Sequence, residues 1–326
     1  MGGERMPDAA VEGALRAAED GIPVVLVGDA ERVAAPLADH GGVLDVVSAA
    51  DVIGMDEHAA EVRRRPDSSV MVAARLVHEG KAGALVSMGH SGATMAAALL
   101  VFGRLDRVER PAIVANLPSE RGPVTLLDIG ANADCRPRML QQFAVMGSAY
   151  ARLVHGIESP AVGLLSIGEE AGKGNELVRD THPLLAATTG IRFAGNVEGN
   201  DILTGSVDVV VTDGFTGNVV LKLAEGEARV VFGWIREALR SNLRSRLGGA
   251  LARPALRGIA ARLDPAAYGA QPLLGVTAPT FIGHGSSDAR AVYSALRYAH
   301  ASVRDELVPR LGRDLAALAG TESAPG

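Results

Sequence analysis

The chain has a single cysteine, Cys135, few aromatic residues and no long apolar run. One thiol excludes an intramolecular disulfide and fits a reducing cytoplasm. Aromatics at 3% leave little material for stacking on bases, and a net charge of -6 disfavours non-specific nucleic-acid binding. No apolar stretch approaches the ~18 residues needed to span a bilayer. The N-terminal MGGERMPDAA carries charges with no apolar run after them, so no secretory leader is expected there. Familiar site signatures are missing too. No G-x-G-x-x-G follows a strand, no G-x-S-x-G elbow is present, and the eight histidines lack metal-ligand spacing. Gly168–Gly174, GEEAGKG, is one residue short of a P-loop and has Gly174 where that motif needs Ser or Thr. Cys135 has no local signature of a nucleophile and reads as a packed small side chain.

What is present is an alternation of apolar, β-branched runs with helical patterns. The 326 residues are 48% hydrophobic, enough for a large core. Helix is expected over Met6–Asp20, strand over Ile22–Gly28, and a second helix–strand pair through Val47. Ser48–Arg65 reads as a loop with short helical pieces; its basic Arg63–Arg65 is either a solvated run or a landing spot for an acidic partner. A helix over Ser68–Gly80 with Ser68 or Ser69 as its cap follows. Strands are expected at Ala84–Met88, Ile113–Asn116, Val124–Asp128, Ala161–Ile167, Ile191–Gly195, Val207–Thr212 and Thr280–Ile282. Together they imply βαβ units: an α/β fold with a mostly parallel sheet and helices on both faces. The expected organisation is one domain over residues 1–319 with a helical excursion at 232–268, then a disordered tail at 320–326.

Glycine turns end most of these strands, and parallel sheets bind ligands at their carboxyl edge. The run Val207–Lys222, VDVVVTDGFTGNVVLK, is strand, turn and helix start, an arrangement that aims backbone N–H groups and a helix dipole at one anion. We therefore expect one site built from several such turns. Its candidates for touching a ligand are Gly89, Gly92, Asp128, Gly130, Gly168, Glu169, Lys173, Asp213, Gly214, Thr216, Gly217, Asn218 and Lys222, with the two lysines as candidates for binding an anion. His90, Ser91, Asn132 and His284 are candidates for donating to an oxyanion. The aspartates equally suit the capping of turns and helices.

A second feature is Phe232–Leu263, with seven arginines and Glu237 as its only acid. Ile235, Leu239, Leu243 and Leu247 recur every four residues beside Arg236, Arg240 and Arg244, the pattern of a basic amphipathic helix broken at Gly248-Gly249 and Pro254. Such a face suits packing on the domain or on a dimer partner, an anionic membrane surface, or an acidic protein.

Several blocks in register carry a resemblance across nearly the whole chain. They are Met1-Gly2-Gly3, DSSVMVAARLVHEGKAGALVSMGHSGA from Asp67 to Ala93, ERPAI at Glu109–Ile113 and DIGANAD at Asp128–Asp134. SIGEEAGKG at Ser166–Gly174, FAGNVEGND at Phe193–Asp201, TDGFTGNVVLK and HGSS at His284–Ser287 complete the set. In these the chain resembles the bacterial phosphate acyltransferase family, which makes acyl phosphate for phospholipid synthesis. The resemblance implies a fold like that of phosphate acetyltransferase and isocitrate dehydrogenase. It implies transfer of a fatty acyl group from acyl carrier protein to inorganic phosphate without metal or redox cofactor. It also implies a cytoplasmic homodimer, peripheral at the inner face of the cell membrane through a helical hairpin.

Two departures stand out. The family begins with a strand before Met-Gly-Gly and has aspartate where this chain has Glu4; either the start is placed too late or the strand is missing, and a missing strand is expected to leave a gap in the sheet. His90-Ser91 also replaces the family's Asn-Thr. On this reading the turns at Gly168–Gly174 and Gly214–Asn218 hold phosphate with Lys173, while those at Gly89–Gly92 and Asp128–Asp134 orient the thioester. Rival readings are a coenzyme A-dependent phosphotransacetylase of the same shape, a decarboxylating dehydrogenase, and a non-catalytic membrane-associated scaffold.

Overall fold

Short β-branched runs closed by glycine or aspartate build the strands, and alanine- and leucine-rich segments between them build the covering helices. The computed structural model describes residues 2–262 and 268–321. Its first elements are α1 (Asp8–Glu19), β1 (Val25–Gly28), α2 (Ala30–Asp39) and β2 (Asp45–Ser48). A 3-10 turn at Ala59–Arg63 leads to α3 (Ser69–His78), β3 (Leu85–Ser87) and α4 (Ser91–Val101). The hairpin β4 (Ala112–Pro118) and β5 (Pro123–Leu127) precedes the central helix α5 (Pro137–His155). Then come β6 (Ala161–Leu165), α6 (Glu176–Ala187), β7 (Arg192–Val197), α7 (Gly199–Thr204) and β8 (Val209–Val211). The long helices α8 (Gly214–Arg240) and α9 (Leu243–Arg262) pack on each other, followed by β9 (Ala270–Leu274), β10 (Thr280–Gly283), α10 (Ala289–Arg304) and α11 (Leu307–Thr321).

Among the described residues, eight strands form the main sheet in the order β3-β10-β9-β4-β5-β8-β6-β7, and β1 and β2 pair with each other in a separate sheet. The α/β class holds, and four of the seven neighbouring pairs in the large sheet are parallel. The three antiparallel pairs lie together in the middle and change the expected geometry. They reverse the direction of β5, β8, β6 and β7 relative to β3 and β10. The turns after β5, β6, β7 and β8 therefore share one edge, while those after β3 and β10 lie at the other. The expectation of a single carboxyl edge is corrected accordingly. Register sets the offset: Gly283 pairs with Ala270, whereas Ala112, beside the Asp128 turn, pairs with Leu274. Those four steps along β9 are about 13 Å.

β9 is the one strand the sequence pattern hides. Pro272 breaks its apolar run, and proline is rare in a central strand. Here β9 pairs with β10 through Ala270–Pro272 and with β4 through Leu273–Leu274, so Pro272 sits where pairing changes sides. β7 runs past Gly195 to Val197 because Gly195, at φ 102°, takes up a register shift between β6 and β7.

Both faces of the sheet are covered. On one, Leu127, Val162, Leu164, Val209 and Val211 pack under Phe143, Met146 and Tyr150 of α5. On the other, Ile113, Leu126, Val210 and Ile282 pack with Ala98 of α4, Ile202 of α7 and Leu221 of α8.

The basic excursion differs from its sequence pattern. α8 is continuous from Gly214, so no boundary falls at 232, and the break comes at Ser241-Asn242. Asn242 Oδ1 accepts from Ser245 N at 2.9 Å and thereby starts α9. α9 runs unbroken through Gly248-Gly249 and Pro254. Gly249 lets it approach Leu239, because a Cβ there would lie 3.2 Å from Leu239 Cβ. Ile235 and Leu239 thus belong to one helix, Leu243 and Leu247 to the other. The distal part of the excursion, 263–267, lies outside the described residues, as do Met1 and residues 322–326 of the expected tail; α11 continues to Thr321.

Of the Arg63–Arg65 run, Arg63 and Arg64 are exposed and Arg65 is tied into the fold. Arg65 binds Asp51, Glu57 and Val52 O, and Arg64 pairs with Glu61. Asp51 and Glu57 are held below the usual carboxylate range, Asp51 chiefly by Arg65 and Glu57 by Gly54 N–H and then Arg65. Ser68 does not cap α3 with its side chain; its hydroxyl donates to Arg65 O at 2.8 Å.

Candidate functional site

The turn after β5 is built around Asp128. This carboxylate is fully buried and accepts from the amides of Ile113, Gly130, Ala131 and Asn132 and from Asn132 Nδ2, at 2.8–3.2 Å. Burial pushes its pKa up, while those donors pull it back. With its oxygens so engaged, Asp128 organises the turn and does not face a substrate, contrary to its expected binding role. Gly130, at φ 141°, gives its amide to Asp128 and is likewise structural. Asn132 also donates from Nδ2 to Pro111 O at 2.8 Å, which fixes its side chain. Asn132 as an oxyanion donor is corrected to an anchor between the turn and β4.

The neighbouring turn after β8 locks onto the first. Asp213 caps α8, accepting from Thr216 N and from Thr216 Oγ1, both at 2.8 Å. The Gly214 amide donates to Asn132 O at 2.8 Å and that of Gly217 to Asp213 O at 2.9 Å. Asn218 Nδ2 donates to Ile129 O at 2.9 Å. Gly217 is required by space alone, since a Cβ there would lie 1.9 Å from Asp128 O. The anion cradle expected at this helix start is thus largely taken up: the Gly214, Thr216 and Gly217 amides serve protein acceptors, and Asp213 supplies the negative charge. Lys222 is directed elsewhere as well, pairing with Glu225 at 3.0 Å on the exposed flank of α8. Cys135 lies beside these turns, its Sγ 3.6 Å from Asn132 O. Burial, aided by the Asp128 charge, pushes the thiol up to about 12, so it is no nucleophile.

The turn after β6 is different. Among the described residues, the amides of Gly168, Glu169, Glu170, Ala171 and Gly172 donate to no protein acceptor, while Lys173 N donates to Glu170 O at 2.9 Å. The stem of Lys173 lies across Gly168, where a Cβ would meet Lys173 Cγ at 3.0 Å. Open amides, a lysine and an exposed rim meet here, and the structure keeps Gly168, Glu169 and Lys173 together as expected. Beneath the turn are two polar atoms that sequence reasoning missed, Ser166 Oγ and Asn196 Oδ1. Both are buried without a protein partner. Such a group costs about 1–3 kcal/mol when left unmet. Their sequence signal was a polar residue closing an apolar run, as in AVGLLS, or interrupting one, as in RFAGNV.

At the opposite edge, His90 caps α4: its Nδ1 accepts from Ala93 N at 3.1 Å, so in the neutral ring the proton is on Nε2. Histidine here does the capping work of an asparagine. Ser91 is exposed at the first position of α4, next to Gly92 and Gly89. His284 is exposed and bonded to Ser286 Oγ at 2.7 Å. Gly2 and Gly3 thread between these ends, where a Cβ on Gly3 would lie 2.9 Å from both Gly285 O and Met88 O. Strand polarity separates this group from the Gly168 turn, while Ile282 of β10, Ala98 of α4, Leu165 of β6 and Leu221 of α8 share one core cluster.

A family profile described as fatty acid synthesis protein matches residues 1–310. The chain belongs to this family. It is 59% identical over 318 residues to a Thermus thermophilus phosphate acyltransferase, covering 98% of this chain and 97% of that one. A Deinococcus radiodurans phosphate acyltransferase is 55% identical over 271 residues, 81% of this chain and 75% of the other. Among solved structures, a phosphotransacetylase from Streptococcus pyogenes superposes with a TM-score of 0.62 at 18% identity, covering 92% of each chain. A 4-hydroxythreonine-4-phosphate dehydrogenase from Klebsiella pneumoniae gives 0.52 at 14% identity, over 91% and 96%. At those identities the likeness is one of fold.

Proposed function

We propose that this chain is an acyltransferase that moves a fatty acyl group from an acyl carrier protein thioester to inorganic phosphate. The observation that carries the reading is identity of 59% to a phosphate acyltransferase over nearly the full length of both chains. The chemistry suits the residues present. Phosphate is already a nucleophile and the thioester is already activated, so positioning supplies most of the rate. Holding the two in line is worth up to roughly 7–11 kcal/mol, and each donor on the tetrahedral oxyanion adds about 3 kcal/mol. The Gly168–Gly172 amides and Lys173 bind the phosphate; His90 Nε2–H, Ser91 and the Gly89–Gly92 turn serve the donor side, with His284 beside them.

The hairpin of α8 and α9 is the proposed docking surface. Leu243, Leu247 and Leu251 are 81%, 67% and 78% exposed at four-residue spacing on α9. They lie among arginines, which suits an anionic membrane surface. Phe215, Val219, Leu223, Val230 and Trp234 leave a second apolar stripe on α8, suited to a second copy of the chain. Among the described residues no helix is long and apolar enough to cross a membrane. The test is trapping of acyl phosphate with hydroxylamine after mixing the protein with phosphate and either acyl carrier protein or coenzyme A thioesters. Product from the carrier-protein donor supports the reading; product from coenzyme A alone, or none, overturns it.

A further inference from the structure

The proposed reaction needs a site that accepts phosphate, yet sulfate offers the same charge and nearly the same shape. The distinction lies in protons: at neutral pH phosphate keeps at least one P–OH, and sulfate has none. A site that separates them needs an acceptor aimed at that hydroxyl. Lysine and backbone amides cannot provide it, since both only donate.

Such an acceptor is present under the Gly168–Gly174 turn. Asn196 is 5% exposed, on β7. Its Nδ2 donates to Glu170 O at 2.8 Å, which fixes the amide so that Oδ1 is the free atom. On the adjacent strand Ser166 follows β6, its amide donating to Val197 O at 2.8 Å. Leu164 pairs with Asn196, so by strand alternation the Ser166 and Asn196 side chains leave the sheet on one face. Gly174 closes over Ser166, where a Cβ would stand 3.1 Å from Ser166 Oγ. Two of the three buried side-chain atoms without a partner among the described residues are therefore neighbours at the turn that also has the open amides. Glu169 and Glu170 share this turn, but both are exposed at its rim.

We propose that Ser166 and Asn196 form the floor of the phosphate site and select a protonated oxyanion. Ser166 Oγ–H donates to a phosphate oxygen, and Asn196 Oδ1 accepts from the P–OH. An unprotonated oxyanion at the same place sets oxygen against oxygen. The inference rests on the phosphate acyltransferase reading and names what that site reads.

Monofluorophosphate tests it, being a dianion of phosphate's size with fluorine in place of the hydroxyl. Calorimetry on the full chain is expected to show phosphate binding at least tenfold tighter than monofluorophosphate or sulfate. In Asn196→Ala phosphate weakens about tenfold while monofluorophosphate stays within twofold. Ser166→Ala weakens both anions by a similar factor. In turnover with acyl carrier protein donor, Asn196→Ala raises the phosphate KM and keeps kcat within about threefold. Wild-type protein that binds monofluorophosphate as tightly as phosphate overturns the proposal whether or not the variants fold. An Asn196→Ala protein that leaves both anions unchanged, or weakens them equally, also overturns it, leaving the pair a structural role. The binding comparison needs no turnover, so absence of acyl phosphate from the wild type would sink the functional reading separately.

Discussion

At the scale of single residues, the two lysines once alike as anion ligands separate. Lys173 lies across the turn whose amides are open, whereas Lys222 is held by Glu225. Lys173→Ala is expected to raise the phosphate KM more than tenfold, and Lys222→Ala to change it less than twofold, both read by varying phosphate in the acyl-phosphate assay. Gly217 carries a different demand. Its missing Cβ is the room in which the Asp128 carbonyl sits, and backbone cannot move aside as a flexible side chain can. Gly217→Ala is expected to lower stability by about 3 kcal/mol in urea unfolding and to abolish turnover, since it forces the two turns apart. Cys135, with its thiol pushed up to about 12, should resist iodoacetamide at pH 8 in the folded protein and react once urea unfolds it.

At the scale of elements, the hairpin shows what residue spacing does and does not disclose. Four-residue spacing located an amphipathic surface, but Ile235–Leu247 spans two helices, because a Ser241-Asn242 cap outweighs continued periodicity. Gly248-Gly249 and Pro254 read as breakers from composition. In α9 Gly249 serves close approach to Leu239, Gly248 faces open space, and the proline is carried inside the helix. Strand ends were legible because apolar runs stop at Gly, Asp or Ser; strand direction was not, since polarity depends on β9, which Pro272 conceals. That is why the turns looked like one rim. The site followed suit: Gly168 and Lys173 were readable from their motif, while Asp128 looked like a ligand because sequence cannot show five donors converging on it. Leu243→Glu with Leu247→Glu tests the corrected surface. Both side chains are well exposed, so the fold should survive with an unchanged unfolding midpoint. Sedimentation with anionic vesicles should show binding lost in the double variant and weakened by salt in the wild type, where each arginine near the surface contributes roughly 1 kcal/mol.

At the scale of the whole molecule, the two blocks of opposed strands are joined by a buried polar chain. Tyr298 of α10 meets Tyr150 of α5 hydroxyl to hydroxyl. Asn116 Nδ2 on β4 donates to Tyr150 Oη at 2.7 Å. Asn116 Oδ1 then faces His155 Nε2 at 2.9 Å, with Thr125 Oγ1 of β5 3.2 Å away. Because Asn116 presents its oxygen, His155 donates from Nε2, and burial keeps the ring neutral. Burial is the main cause of its lowered pKa, about 4 against an ordinary 6.5, and Asp208 opposes the shift only in part. A folded-state value below the unfolded one means that the unfolded chain binds the proton first. The stability from His155 is therefore complete above about pH 6.5 and drains away as pH falls towards 4. The loss reaches at most about 3 kcal/mol. Urea midpoints at pH 7.5, 5.5 and 4.5 should fall in that order. His155→Gln keeps a donor for Asn116 and cannot take up a proton, so its midpoint should start lower at pH 7.5 yet decline less steeply. Equal acid slopes in the two proteins would remove His155 as the cause and leave the carboxylates around Arg65 to account for the loss.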